Sequence, residues 1–493
     1  MNKFDMLAKT FQGLEGVLAE ELRGLGAEDV VPGNRVVSFR GDQRMMYRAN
    51  FCLRTAVRVL KPLATFKAQT ADEVYDEVKK LDWAQWLDLE TTFAVDSVVY
   101  SNDFRNSKFV SYKVKDAIVD YFREKTGKRP NISVASPDIR FNMHIAEDAC
   151  TLSLDSSGES LHKRGWRVEQ TESPINEVLA AGLVLLTGWQ GECDFIDPMC
   201  GSGTIAIEAA LIARNMAPGL FRKHFAFERW KDFDADLLQE IYNDDSQERE
   251  FTHHIYGYDI DPKAIAVSDA NVKAAGMSDV ISLAVQPIQK FTQPKEKSII
   301  VTNPPYGERI SAPNLPALYR TIGERLKHQF VGCEAWIIGY REESFAQIGL
   351  KPSLMIPLYN GSLNCEFRKY TMFEGGLGQY RAQGGVVKTD DERLRNAGKK
   401  RLRSHDERHQ HTQRNSDFES EIPDYVLRRH QEFVANQNRK EHGEPHRYRE
   451  QDNSPAERSY NEGKRNHSDN NFHKKNHDND HRSNHGNGKS RRF

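Results

Sequence analysis

Between residues 175 and 301 the apolar pattern switches back and forth between two periods, and this alternation constrains the fold more than any other feature of the chain. Helix-length segments at 175–186, 204–214 and 262–275 are interleaved with short apolar runs at 193–196, 254–258, 281–285 and 298–301. Runs of four or five residues are too short for buried helices and read as strands, while the longer segments read as helices. Strands alternating with helices close into a parallel, doubly wound sheet, whose ligands lie beyond the carboxyl ends of the strands. The chemically informative motifs fall at those ends.

The first is DFIDPMCGSGTIAIEAALIA, in which a strand ends at Asp197 and a loop of Pro198, Cys200, Gly201, Ser202 and Gly203 leads into a helix starting at Thr204. Glycines between a strand and a helix N-terminus let backbone amides approach a ligand closely. A bare GxG is also an ordinary tight turn. The loop departs from both GxGxxG and GxxxxGK[ST], which disfavours a dinucleotide or a nucleoside triphosphate. A carboxylate at the strand end suits a ligand with a positive charge, such as the amino group of S-adenosylmethionine. The second motif, HIYGYDIDP, ends its strand at Asp259, placed to accept both hydroxyls of an adenosine ribose. Asp261, just before Pro262, reads as a helix N-cap.

The third motif sets the reaction class. SIIVTNPPYGERI puts Asn303, Pro304, Pro305 and Tyr306 directly after an apolar strand. An exocyclic amine on a nucleobase is a poor nucleophile because its lone pair is delocalised into the ring. The Asn303 side-chain oxygen and the Pro304 carbonyl can accept its two N–H hydrogens and turn the lone pair towards an incoming methyl group. Two prolines fix φ, and Tyr306 offers a face for a base taken out of its stack. By itself this is also a Pro-Pro turn closing a strand.

The order DPMCGSGT, GYDID, NPPYGERI, with GLEGVLAEEL at the start and LDSSGESLHKRGWR between, resembles the bacterial ribosomal RNA large subunit methyltransferase L family of THUMP-domain class I methyltransferases. The resemblance runs over residues 1–375. It implies a ferredoxin-like segment at 1–44, a THUMP RNA-binding domain at 45–155 and a Rossmann-like class I methyltransferase domain at 165–380. The implied activity is methyl transfer from S-adenosylmethionine to the N2 amine of a guanine in 23S rRNA. Asp197, Gly201 and Gly203 would then line the methionine end of the cofactor, Asp259 its ribose, and residues 303–306 the target base. Many members carry an acidic residue near the adenine; this chain reads AVQPIQKF, and Gln286 is assigned nothing. Some relatives carry a second methyltransferase domain, which is not expected here.

In the first 160 residues, GLEGVLAEELRGLG reads as a helix ending at Gly24 or Gly26, VVSFRGD as a strand into a turn, KVKDAIVDYFREKTGKRP as a helix closed by Gly127 and Pro130, and IRFNMHIAEDACTLSLD as a hairpin around Glu147-Asp148. No stretch has the length and apolarity of a signal peptide or a membrane span, so a cytoplasmic protein is expected. The six cysteines form no CxxC pair, so neither disulfides nor a structural metal is expected.

Composition breaks at residue 391. From there on the chain holds 23 Lys/Arg, 18 Asp/Glu and 11 of the 17 histidines, and residues 441–493 contain no Leu, Ile, Val, Met, Trp or Cys. Such a segment cannot bury enough apolar surface to offset its ordering entropy, so 391–493 reads as a disordered polar tail, with at most a short amphipathic helix within 422–440. His473, His477, His481 and His485 sit among poor helix formers and read as part of that tract. The tail removes about five positive charges from a net of −2, leaving an acidic body, so RNA contact must come from local patches. Candidates are Lys113, Lys115, Lys125, Lys128 and Arg129, and the bridge His162-Lys163-Arg164-Gly165-Trp166-Arg167, where Trp166 amid cations suits base stacking. The partner expected is RNA, with no membrane and no obligate protein partner. Competing readings are a tRNA guanine-N2 methyltransferase of the same architecture, a DNA adenine-N6 or protein glutamine-N5 methyltransferase, and a non-catalytic RNA chaperone or ribosome assembly factor.

Overall fold

A computed structural model describes residues 2–373, apart from 293–296 and 307–314, together with Gly375 and Ala382. The expected polar tail at 391–493, its short helix and its histidine repeat lie outside the described residues. The first half runs β1 (Phe4–Lys9), α1 (Glu15–Gly24), β2 (Glu28–Pro32), β3 (Val36–Gly41), α2 (Gln43–Cys52), β4 (Arg58–Lys67), α3 (Ala71–Lys79), β5 (Phe93–Tyr100), α4 (Ser107–Thr126), β6 (Ile139–Ala146) and β7 (Ala149–Asp155). The second runs α5 (Glu177–Thr187), β8 (Asp194–Asp197), α6 (Thr204–Ala213), α7 (Ala235–Tyr242), β9 (Ile255–Asp259), α8 (Pro262–Ala274), β10 (Ile281–Val285), β11 (Ser298–Thr302), α9 (Leu315–Gln329), β12 (Glu334–Gly339), α10 (Glu342–Ile348), β13 (Leu354–Asn360) and β14 (Leu363–Thr371).

The N-terminal strands form one sheet in the order β2-β3-β1-β4-β7-β6-β5, antiparallel except for the parallel pair β5–β6. Strand β4 is the splice: Arg58 to Leu60 pair with β1, and Leu60 to Lys67 with β7. The local signals behave as their chemistry dictates. Gly127 stops α4 in the left-handed region at φ 73°, and Glu147 takes φ 52° at the β6–β7 hairpin turn. The turn expected after β3 is an N-cap instead. Asp42 accepts from the Met45 N–H and starts α2, a contribution of about 1 kcal/mol.

The second sheet runs β10-β9-β8-β11-β12-β14-β13. Strands β8 to β12 are parallel to their neighbours, and only β14 runs antiparallel, to β12 and β13. The α/β expectation holds, and β8 sits at the switch point with β9 on one side and β11 on the other. All ten residues of helix α6 are buried, and apart from Thr204 and Glu208 they are apolar.

The two halves share their cores. Residues 217–242, which follow α6 in sequence, pack Phe225, Phe227, Trp230, Leu237 and Ile241 into the N-terminal core. There Phe227 stacks on Tyr47 with ring centroids 4.1 Å apart, and Arg44 makes a two-pronged bond to Glu240 at 2.8 and 2.6 Å. Conversely, Leu14 and Val17 at the start of α1 belong to the core of the second sheet. Among the described residues no helix is long and apolar enough to cross a membrane.

Candidate active site

Three strand ends meet at the switch point. Pairing of Ile299 and Ile300 on β11 with Phe195 and Ile196 on β8 puts Asn303 just beyond the level of Asp197, and β9 ends beside them at Asp259. The sequence motifs, spread over more than 100 residues, are thereby brought to adjacent positions at one edge of the sheet.

Asp197 is 1% exposed. Its Oδ1 accepts from the Met199 N–H at 3.3 Å, and its Oδ2 is buried with no hydrogen-bond partner among the described residues. Burial pushes this carboxyl up to about 7, the nearby Asp259 charge acting in the same direction against the Met199 N–H and the Thr302 side chain. Asp259 bonds to the loop: its Oδ2 accepts from Gly201 N–H at 3.0 Å, and its Oδ1 from Asp261 N–H at 3.0 Å. Asp261 caps α8 by accepting from Lys263 N–H at 2.9 Å.

The loop is held from several sides. Cys200 N–H donates to the Tyr258 carbonyl and Gly203 N–H to the Cys200 carbonyl, both at 2.8 Å. Ser268 on α8 donates to the Gly201 carbonyl at 2.7 Å. Gly201 and Gly203 take φ 54° and 78°, conformations that favour glycine. The two differ in surroundings: a Cβ on Gly203 would press on Ser268 at 3.2 Å, whereas one on Gly201 would meet nothing within 4 Å. Gly201 therefore leaves open space beside the loop. Pro198 begins the loop and lies outside these bonds; Ser202 and Thr204 are both buried.

On the other side, Asn303 Oδ1 is buried without a hydrogen-bond partner among the described residues. Pro304 is buried and Pro305 half-buried. Tyr306 differs from the expectation of a displayed stacking face: it is 2% exposed and packs in the core of the second sheet, where Asn360 Nδ2 donates to its hydroxyl. The ring anchors the turn from behind, because half-buried Asn360 at the end of β13 gives the hydroxyl a partner. Residues 303–306 carried no sign of Asn360, which lies 54 positions further on.

Three family matches tile the chain in order: the RlmL ferredoxin-like domain over residues 5–60, the THUMP domain over 68–155, and the RMKL-like methyltransferase domain over 164–369. Over 369 residues the chain is 36% identical to a Synechocystis protein named "Putative RNA methyltransferase slr0064", a match covering 74% of this chain and 96% of that one. The chain belongs to the RMKL-like methyltransferase family. It is also 37% identical over 382 residues to the ribosomal RNA large subunit methyltransferase K/L of Vibrio campbellii, covering 76% of this chain and 54% of that protein. It thus spans about half the length of such curated relatives. Among solved structures, SMU.472, crystallised as a complex with SAH, superposes with TM-score 0.69 at 30% identity, covering 76% of this chain and all of that one.

In this RMKL-like methyltransferase the bridge read as an RNA contact buries its Trp and its central Arg, while Lys163 is exposed. Trp166 is 1% exposed and Arg164 2%. Arg164 donates to Glu208 Oε1 on α6 at 3.1 Å and to the carbonyls of Leu161 and Arg54. A Trp among cations looks the same in sequence whether the cations face RNA or a buried carboxylate 44 residues away. Of the other candidates, Lys113 pairs with Asp72, Lys115 with Asp116 and Lys125 with Asp82, while Lys128 and Arg129 are exposed. An exposed aromatic pair lies on α4, where Phe109 and Tyr112 are 50% and 59% exposed. The Lys113 and Lys115 ammonium groups sit 5.6 and 5.8 Å from their ring centres. The i, i+3 spacing of two aromatics among lysines was the signal available for it.

Proposed function

We propose that this chain transfers a methyl group from S-adenosylmethionine to the exocyclic N2 amine of a guanine in 23S rRNA. The observation that carries the reading is Asn303 Oδ1, a buried acceptor without a partner among the described residues, at the carboxyl end of β11 beside the loop of residues 197–204. A buried acceptor left unbonded costs about 1–3 kcal/mol, and an N–H from a planar amine removes that cost.

The residues present fit the cofactor. Asp197 offers an unpaired buried carboxylate oxygen to an ammonium group, Gly201 leaves the space a side chain would fill, and Asp259 stands at the end of the neighbouring strand with hydroxyl-accepting chemistry. When bound, S-adenosylmethionine supplies an electrophilic methyl on a positively charged sulfur. Asn303 Oδ1 and the Pro304 carbonyl accept the two amine hydrogens, which draws the nitrogen lone pair out of conjugation and orients it for attack. Pro304 and Pro305 hold that carbonyl by their fixed φ, and Tyr306, gripped by Asn360, holds the turn. Phe109, Tyr112, Lys113 and Lys115 on α4 form the RNA-facing surface, with phosphate contacts that weaken as salt rises.

The test is nucleoside mass mapping of 23S rRNA and tRNA from cells lacking the gene, complemented with wild type or Asn303→Ala. Loss of one N2-methylguanosine from 23S rRNA, restored by wild type only, is the expected result. A mark lost from tRNA instead moves the substrate to tRNA. Full restoration by Asn303→Ala removes the proposed catalytic role.

A further inference from the structure

Arg167 leaves the buried bridge and reaches the glycine loop. Its Nη1 donates to Ser202 Oγ at 3.0 Å and its Nη2 to Thr204 Oγ1 at 2.8 Å, the two residues flanking Gly203. Its Nε donates to Glu177 Oε1 at 2.6 Å, at the start of α5. The two residues after it are fastened to the same loop. Val168 and Glu169 N–H donate to Asn271 Oδ1 at 2.9 and 3.1 Å, and Asn271 Nδ2 donates to the carbonyls of Glu169 at 3.0 Å and Ser202 at 3.1 Å. Ser202 is therefore held by its hydroxyl to Arg167 and by its carbonyl to Asn271.

A guanidinium only donates, so both hydroxyl oxygens act as acceptors towards Arg167 and their own hydrogens point elsewhere. One is taken up between Ser202 Oγ and Thr204 Oγ1, 3.1 Å apart. The other is left to donate at the N-terminus of α6, where a carboxylate is favoured by the helix dipole. We infer that Arg167 is a positioning residue of the cofactor loop, holding the Ser202–Thr204 hydroxyl pair so that its one remaining hydrogen donates to the carboxylate of the cofactor's amino-acid end, and is not an RNA contact. The inference rests on the proposed reading of residues 197–204 as the cofactor cradle.

The experiment uses the full chain, with S-adenosylhomocysteine as the calorimetric probe and a 23S rRNA transcript as the RNA probe. Arg167→Ala is expected to weaken S-adenosylhomocysteine binding about tenfold, the loss of roughly one charged hydrogen bond, with RNA affinity unchanged. In turnover the KM for S-adenosylmethionine rises while kcat is retained, and Arg167→Lys restores part of the affinity. Combining Arg167→Ala with Ser202→Ala and Thr204→Val costs less than the separate effects together, because the arginine acts through those hydroxyls. If Arg167→Ala fails to fold, Ser202→Ala with Thr204→Val, which keeps the Arg167–Glu177 pair, is expected to show the same loss alone. Unchanged S-adenosylhomocysteine affinity in the folded variants overturns the inference, as does weakened RNA binding with S-adenosylhomocysteine affinity intact. Failure of the wild type to bind S-adenosylhomocysteine overturns the cofactor reading itself.

Discussion

Asp155 and Asp197 are near twins in position. Each is the last residue of a strand, β7 and β8, and each is 1% exposed. Their partners differ. Asp155 Oδ1 accepts from the N–H groups of Ser157 and Gly158 at 3.0 and 3.1 Å, and Oδ2 pairs with Arg58. Asp197 has one long bond, and its Oδ2 has no partner among the described residues. The amides repeat the contrast. Asn50 donates to the Met46 carbonyl and Ser156 Oγ and accepts from Ser157 Oγ, whereas Asn303 Oδ1 has no partner among the described residues. Burial alone does not mark a functional group, and neither does spare capacity alone, since Glu208 Oε2 and Trp336 Nε1 are also buried without partners among the described residues; what sets Asp197 and Asn303 apart is that their spare acceptors lie together at the strand ends, where a ligand can remove the cost.

That contrast predicts which property each substitution damages. Asn303→Ala should lower kcat by about 10²–10³-fold, the range for losing one transition-state hydrogen-bonding group, while S-adenosylhomocysteine affinity and melting temperature stay near wild type. Asp155→Ala should do the reverse. Removing this carboxylate leaves the Ser157 and Gly158 N–H groups without their acceptor, at a cost of about 1–3 kcal/mol for each such buried group, read as a lowered unfolding midpoint in denaturant. Equal stability losses for Asp155→Ala and Asp197→Asn would break the comparison.

A titration sharpens it. Burial raises the Asp197 carboxyl from an ordinary value near 3.8 to about 7, so the folded, ligand-free chain holds a proton there that the unfolded chain has released. This group's contribution to stability is fully present below about pH 4 and is lost as pH rises through 7. An ammonium group binding at Asp197 requires the carboxylate and expels that proton. S-adenosylhomocysteine affinity should therefore climb by up to about tenfold per pH unit below 7 and level off above it. Asp197→Asn should bind more weakly, by about tenfold, and show no such climb. A wild-type affinity flat from pH 5 to 8 would separate Asp197 from the ligand.

The same physics explains what the sequence could disclose. Runs such as DFID and SIIVT are buried on both faces of a parallel sheet, so they read as unbroken apolar strands, and the glycine loop and Asp261 cap announce themselves within a few residues. The end of the domain, from α9 to β14, is not legible locally, because antiparallel β13 and β14 carry mixed patterns whose pairing is set by each other. Residues 217–242 were silent for a stronger reason: Phe227 and Trp230 find their core in the other half of the chain. At the site, the strand-end residues were legible, but the groups that hold them were not. Arg167, Asn271 and Asn360 act across 35 to 103 positions, and the bridge arginines look like a basic patch until Glu208 and Glu177 are brought against them.

The smallest effect tests whether Tyr306 belongs with the satisfied groups or the open ones. Its ring is buried and its hydroxyl is engaged by Asn360, so the structure sorts it with Asn50 although it lies three residues from Asn303. Tyr306→Phe keeps the ring and removes the hydroxyl, leaving the Asn360 amide short of a partner. The expected cost is about 1 kcal/mol in unfolding free energy, with kcat reduced only a few-fold through a loosened turn. Asn360→Ala should give a similar loss, and the two together should cost less than their sum, since each removes the same bond. A Tyr306→Phe enzyme with normal stability but an RNA KM raised tenfold would instead put the hydroxyl on the substrate, and Tyr306 would join Asp197 and Asn303 among the groups whose partners arrive from outside the fold.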